Sequence, residues 1–248
     1  MRMLIVGCEY AGKTTLATAI SHWMIEAMGL PFVRWHNHFV VPRVDGHLVV
    51  PAPGGAERLV VPGKQASEEF GEEEQDQILA LKPMVLEQFQ RHMIWRHLHI
   101  SPLSGDDTLL IGFYYADAVY APLYYGYGEP GSFADRRARA RAWDAVLMQA
   151  APDAVLVLVK ASSEAIVERM HREPRARCPL REQDVGVVLD RFEEEYANSL
   201  IGRRFVLDTT VVTASETFQE FLRQMEAYLT EADRLRILSH QALQRLTP

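Results

Sequence analysis

The chain has 248 residues, 48% hydrophobic and 24% charged, an ordinary globular balance with room for one large domain or one domain with insertions. Its net charge of −7 argues against a non-specific nucleic-acid binder, which would carry a basic excess. Two cysteines, Cys8 and Cys178, imply no disulfide framework, and no apolar run reaches the roughly 18 residues of a membrane span.

The first element is an apolar run, Met3-Leu4-Ile5-Val6, which reads as a buried parallel strand. It leads directly into Gly7-Cys8-Glu9-Tyr10-Ala11-Gly12-Lys13-Thr14-Thr15. That segment fits G-x-x-x-x-G-K-[ST], a phosphate-binding loop. Leu16, Ile20, Trp23, Met24 and Ala27 then recur at helical spacing until Gly29 and Pro31 end the run. A loop entering a helix aims several backbone N–H groups at one small volume, and the helix dipole adds partial positive charge there. In such a loop Gly7 and Gly12 permit close approach, and Lys13 reaches the outer phosphates of a nucleoside triphosphate. The Thr14 hydroxyl is the expected Mg²⁺ ligand. Tyr10, Ala11 and Thr15 complete the expected cradle. Cys8, inside the loop, reads as a small space-filler.

Pro31 to Trp35 is the expected second strand. Its end, Arg34-Trp35-His36-Asn37-His38, is either a ligand edge beyond a strand terminus or a solvated loop. Between 39 and 63, Phe39–Pro42 and His47–Pro51 flank Asp45-Gly46, a hairpin signal, and the prolines favour edge strands. A small β-hairpin insertion is expected there. Residues 66 to 100 read as a long helical region kinked at Pro83. Trp95 and Arg96 lie on its later turns, either beside a substrate or on a solvated face.

Asp107 to Gly112 reads as the third strand, followed by Tyr114, Tyr115, Asp117, Tyr120, Tyr124, Tyr125 and Tyr127. The tyrosines suit a pocket wall or simple helix packing. A helix over 135–149 and a buried strand over 154–159 follow. Ser162 or Ser163 caps the next helix. Arg169, Arg172, Arg175, Arg177 and Arg181 then fall within thirteen positions, interrupted by Pro174 and Pro179. Guanidinium groups bind phosphate oxygens in pairs and offset charge in phosphoryl transfer, so 171–183 reads as a lid; a solvated basic loop is the alternative. A helix over 184–200 precedes the fifth strand, Arg204 to Asp208, whose exit carries Thr209. Helices follow to about Leu229 and from Glu231 to Leu246, the last packing across the domain or against a second subunit.

On the phosphate loop above all, the chain resembles the thymidylate kinase group of P-loop nucleotide kinases, and more distantly the deoxynucleoside kinases. Pro152 to Leu158, Glu164 and Arg169, Arg191-Phe192, Tyr196 and Asp208-Thr209 follow the same pattern. The resemblance implies one doubly wound α/β domain over 1–248 with five parallel strands ordered 2-3-1-4-5. It implies ATP- and Mg²⁺-dependent phosphorylation of a nucleoside, a nucleotide or a similar small acceptor, by a soluble cytoplasmic enzyme. No nucleic acid or membrane is expected as partner, and a homodimer is admitted. Lys13, Glu9, Arg172, Arg175, Arg177 and Asp117 are the expected catalytic groups, with Arg169 and Thr209 beside the donor nucleotide. Glu9, Arg34, His36, Trp95, Arg96, Tyr114, Tyr115 and Asp117 are expected around the acceptor. The chain departs from that pattern at its third-strand end, where Gly112-Phe113-Tyr114 replace an acid and an arginine, and at Lys160, where an acid is usual. Glu9 or Asp117 would then supply the missing carboxylate. Two further readings stand beside this one: a nucleotide-dependent switch acting on a protein partner, and a kinase of a non-nucleotide alcohol.

Overall fold

Strand β1 (Arg2–Val6) is apolar from Met3 to Val6 and fully buried there, so it can only sit mid-sheet. It pairs in parallel with β4 (Thr108–Ile111) on one side and β5 (Val155–Lys160) on the other. Beyond β4 lies β2 (Phe32–Asn37), and beyond β5 lies β6 (Arg204–Asp208), both parallel. A sixth strand, β3 (His47–Pro51), closes the β2 edge in antiparallel register, giving β3-β2-β4-β1-β5-β6. The five parallel strands therefore stand in the order the sequence resemblance implies. The computed structural model describes residues 1–37, 47–51, 72–100, 107–175 and 178–246.

The partner of His47–Pro51 is β2, register Phe32↔Pro51 and His36↔His47. The expected partner 39–42 and the remainder of the insertion lie outside the described residues. Pro51 sits at the end of an edge strand, where a missing N–H costs no ladder bond.

The helices begin and end on local signals. Helix α1 (Lys13–Met28) starts at Gly12 in left-handed conformation and stops at Gly29, whose N–H returns to Ile25 O. The expected kinked helix before residue 100 is instead two helices, α2 (Glu72–Leu79) and α3 (Pro83–Ile100). Pro83 opens α3, because a proline lacks only an N–H that the first turn leaves unpaired anyway. Helix α4 (Phe113–Tyr120) continues into a five-residue π-helical turn, Ala121–Tyr125. Asp135 caps α5 (Arg136–Ala150), accepting from Ala138 N at 3.0 Å, and Ser162 caps α6 (Ser163–Arg172), accepting from Ala165 N at 3.2 Å. After α7 (Val185–Ala197), Thr213 and Glu216 form a reciprocal capping box for α8 (Ala214–Met225), and α9 (Glu231–Leu246) follows.

Helices α1, α8 and α9 pack as one group, and α4, α5, α6 and α7 as another. The core joins β1, β4 and β5 to both groups. Parallel strands put all their carboxyl ends on one side of the sheet, and that is where the phosphate loop emerges.

Candidate nucleotide site

The loop between β1 and α1 is shaped by backbone conformations that side chains resist. Gly7 has φ +142°, and a Cβ there would lie 2.0 Å from Val159 O. Gly12 has φ +95°. Tyr10 holds φ +63° although it carries a ring, a conformation that persists only where the surroundings enforce it. The Tyr10 carbonyl accepts from Arg169 Nη1 at 3.1 Å, and the Arg175 guanidinium lies 4.4 Å from the ring centroid.

Lys13 is buried, and its Nζ donates to Gly7 O at 2.9 Å, Cys8 O at 2.8 Å and Glu9 Oε1 at 3.3 Å. Glu9 is also buried and has Arg175 Nη1 3.9 Å from Oε2. Burial pushes the Cys8 thiol up to about 12 against the pull of Lys13, so Cys8 is a neutral filler, not a nucleophile.

Arg169, on α6, ties the loop to the β6 exit. Its Nη1 donates to Tyr10 O at 3.1 Å and to Thr209 Oγ1 at 3.0 Å. Thr209 Oγ1 in turn donates to Ala11 O at 3.0 Å, and its N–H donates to Lys160 O at 2.8 Å. Three segments distant in sequence thereby share one small polar junction.

Around this junction lies a cavity of about 270 Å³. Glu9, Tyr10, Gly12, Lys13, Thr14 and Thr15 form its floor, and Arg169, Arg172, Arg175 and Thr209 border it. Thr14 and Thr15 are exposed at its mouth. Gly7 and Ala11 lie behind, supplying backbone. Most of the expected donor-side residues are thus brought together. Leu16 and Glu173 also line it; Val212, Ala214 and Thr217, which make up the remainder, were not foreseen. Their signal was the cap at Thr213, which places the start of α8 beside the Thr209 turn.

The acceptor side differs from expectation. Tyr114 and Tyr115 are fully buried, and their hydroxyls donate to Asp144 Oδ1 at 2.6 and 2.8 Å. They are packing residues, since the first turn of α4 points them at α5. Burial holds both phenols well above their usual range, with neighbouring charge adding to it. Asp117 also fails to reach the cavity. It is buried, with Arg136 Nε 2.6 Å from Oδ2 and the Tyr127 hydroxyl donating to Oδ1 at 2.9 Å. Burial pushes its carboxyl up, with Arg136 and Tyr127 opposing, and neither it nor these two partners line the cavity. Trp95 is exposed on α3, stacked on His92 at 6.5 Å, and does not border the cavity. Arg34 and His36 lie on β2, level with Thr108 and Leu110; their side chains, that of Arg96, and Arg177 lie outside the described residues.

The tyrosine that does meet the loop is Tyr120, whose hydroxyl accepts from Glu9 N at 3.4 Å. Tyr124 stacks on Tyr120 at 6.0 Å, carries the Arg181 guanidinium at 4.9 Å and donates to Asp184 Oδ2 at 3.0 Å. The turn from β4 into α4 is tight: Gly112 has φ +71° and Phe113 φ +48°.

No protein-family model matches the chain, and no curated protein matches it. Solved structures do. Thymidylate kinase from Candida albicans aligns at a TM-score of 0.53 and 12% identity, over 91% of this chain and 90% of that one. Deoxyadenosine kinase from M. mycoides with bound dCTP aligns at 0.51 and 14%, over 92% and 100%. The YorR protein of Bacillus subtilis, in complex with phosphorylated GDP, aligns at 0.51 and 13%, over 93% and 100%. The fold is that of the P-loop nucleotide kinases. In this P-loop kinase fold the loop–helix junction at Gly12-Lys13 and the arginines of α6 occupy one cavity, whereas the β4 exit carries no acid or arginine.

Proposed function

We propose that the protein transfers the terminal phosphoryl group of ATP, with Mg²⁺, to a nucleoside, a nucleotide or a similar small acceptor. The observation that carries this reading is the single cavity in which Lys13, Glu9, Thr14, Arg169, Arg172 and Arg175 meet at the start of α1. The positive helix end and Lys13 would hold the β- and γ-phosphates, and bound ATP supplies the electrophilic phosphorus. Thr14 fits Mg²⁺, which typically takes only one or two protein oxygens and fills its shell with phosphate and water. Thr14 is exposed and lines the cavity together with Lys13 and Glu9.

Little covalent chemistry falls to the side chains in such a transfer; position and charge decide the rate. Arg172 and Arg175 line the cavity together with Lys13 and would offset charge on the transferring group. Glu9 lies between Lys13 and Arg175, with Oε1 3.3 Å from Lys13 Nζ and Oε2 3.9 Å from Arg175 Nη1, and lines the cavity where an acceptor hydroxyl would enter. Glu9, rather than Asp117, is therefore the candidate for orienting the acceptor.

ADP formation from Mg²⁺-ATP, measured with and without a panel of nucleosides, monophosphates and simple alcohols, tests the reading. Acceptor-stimulated turnover is expected, reduced at least a hundredfold by Lys13→Met, since an interaction made mainly with transition-state charge is lost. Slow hydrolysis indifferent to every acceptor would overturn it and favour a nucleotide-dependent switch.

A further inference from the structure

Tyr10 is not the residue its backbone asks for. Its φ of +63° suits glycine and is strained for any side chain. The G-x-x-x-x-G-K-[ST] pattern leaves the position open, so neither the turn nor the phosphate cradle calls for a tyrosine there. What the position supplies is the ring.

The ring is buried and meets Arg175, whose guanidinium carbon lies over its face, 4.4 Å from the centroid. The Tyr10 hydroxyl accepts from the Arg175 backbone N–H and donates to the Cys178 side chain. The Cys178 N–H donates in turn to Arg175 O at 3.3 Å. Main chain and side chain of Arg175 are thus both held against one ring. Helix α6 does not set the direction of this arginine, because the helix ends at Arg172 and Glu173 and Pro174 intervene. Attraction of a cation to a ring face is electrostatic and does not call on the guanidinium N–H donors. Those donors are therefore kept for the cavity, which Arg175 lines with its side chain 44% exposed and Nη1 3.9 Å from Glu9 Oε2.

We propose that Tyr10 is a positioning residue for phosphoryl transfer, its ring fixing the aim of the Arg175 guanidinium at the transferring group. A cation held in place needs no reorganisation when charge develops in the transition state, and that is where its benefit falls. The inference rests on the phosphotransferase reading above and deepens it at one residue. Tyr10 acts through Arg175 and takes no part in bond making.

The test is calorimetric titration of the full chain with Mg²⁺-ADP, alone and with aluminium fluoride, an anion that stands in for the transferring group. Tyr10→Leu keeps bulk and removes the aromatic face. It should weaken the aluminium fluoride complex roughly tenfold more than it weakens Mg²⁺-ADP alone, because only that complex carries the charge Arg175 meets. Tyr10→Phe keeps the face and should stay within about threefold of the parent for both. Tyr10→Gly, which relieves the strained φ and so guards against a misfolded leucine variant, should show the same selective loss as Tyr10→Leu. Arg175→Ala should show it too, and Tyr10→Leu combined with Arg175→Ala should lose no more than either alone, since the two act as one unit. Equal weakening of both complexes by Tyr10→Leu and Tyr10→Gly, as a space-filler would give, would overturn the inference. So would additive losses in the double variant, or a phenylalanine variant as weak as the leucine one. A parent that binds no Mg²⁺-ADP would overturn the nucleotide reading beneath it, whereas a parent that binds both complexes with variants that do not discriminate them would strike only the role of Tyr10.

Discussion

Arg136 is the most completely buried cation among the described residues, and replacing it by methionine should unfold much of what α3, α4 and α5 hold together. Its side chain is 0% exposed, with Nε 2.6 Å from Asp117 Oδ2 and Nη1 donating to Glu87 Oε1 at 3.0 Å. Nη2 also donates to Glu87 O at 3.2 Å, and the guanidinium lies 4.9 Å from the Tyr127 ring centroid. Methionine would fill the space but leave two carboxylates with side chains only 3% and 0% exposed. Asp117 would keep the Tyr127 hydroxyl, and Glu87 would keep Arg91 at 3.3 Å. Removing one partner of a buried ion pair costs about 3–5 kcal/mol, because the remaining charge is left without compensation. For a chain of this length that is roughly 10 °C of melting temperature.

The loss should depend on pH. Burial already pushes the Asp117 carboxyl up against the pull of Arg136, and without Arg136 it rises further. A carboxyl raised in the folded state favours folding while protonated, and opposes it as pH climbs from its unfolded value of about 4 through the folded one. Urea unfolding followed by circular dichroism at pH 5 and pH 8 should therefore show a larger deficit at pH 8. Adding Asp117→Asn and Glu87→Gln to Arg136→Met should restore part of the stability. A deficit below about 1 kcal/mol, or one equal at both pH values, would refute the ion-cluster account.

Gly7→Ala should abolish nucleotide binding or folding, because the new Cβ meets a backbone oxygen at 2.0 Å and the φ of +142° is costly for any side chain; an alanine variant with parental melting and parental nucleotide affinity would contradict the loop geometry. Arg236→Met should flatten the acid limb of stability. Burial works upward on Asp107 and Asp233, but hydrogen bonds, from Arg236 to both and from Thr230 to Asp233, outweigh it and hold both carboxyls below their usual range. Their contribution is present above about pH 4 and fades as pH falls through the lowered folded values. The variant should lose about 1 kcal/mol at pH 7 and show a shallower fall below pH 4, read from urea midpoints; an unchanged acid limb would exclude this cluster as its source.

The middle of the sheet was legible because its strands are apolar runs: Met3 to Val6 and Val155 to Val159 are buried throughout. The cavity floor was legible for a different reason, since a G-x-x-x-x-G-K-T loop constrains spacing as well as residue type. Tyrosine identity, by contrast, said nothing about direction. Tyr114 and Tyr115 go to Asp144, while Tyr120, about one and a half turns on, reaches Glu9 N. Asp117 misled because its partners, Tyr127 and Arg136, come from positions 127 and 136, Arg136 also binding Glu87, and nothing local announces that α3, α4 and α5 converge there.

Arg169 fixes α6 to the phosphate loop one turn before its end. The tether runs through Tyr10 O and Thr209, both backbone-anchored, so the angular setting of α6 is determined there and not at its capped start. Arg172 follows three residues later, and an α-helix turns about 100° per residue. A single residue inserted between Arg169 and Arg172 would preserve every charge in the segment while swinging Arg172 by about a quarter turn. The charges would be unchanged and their aim would be lost. The spacing of these arginines is therefore a form of sequence information as strict as the glycine spacing of the loop they face.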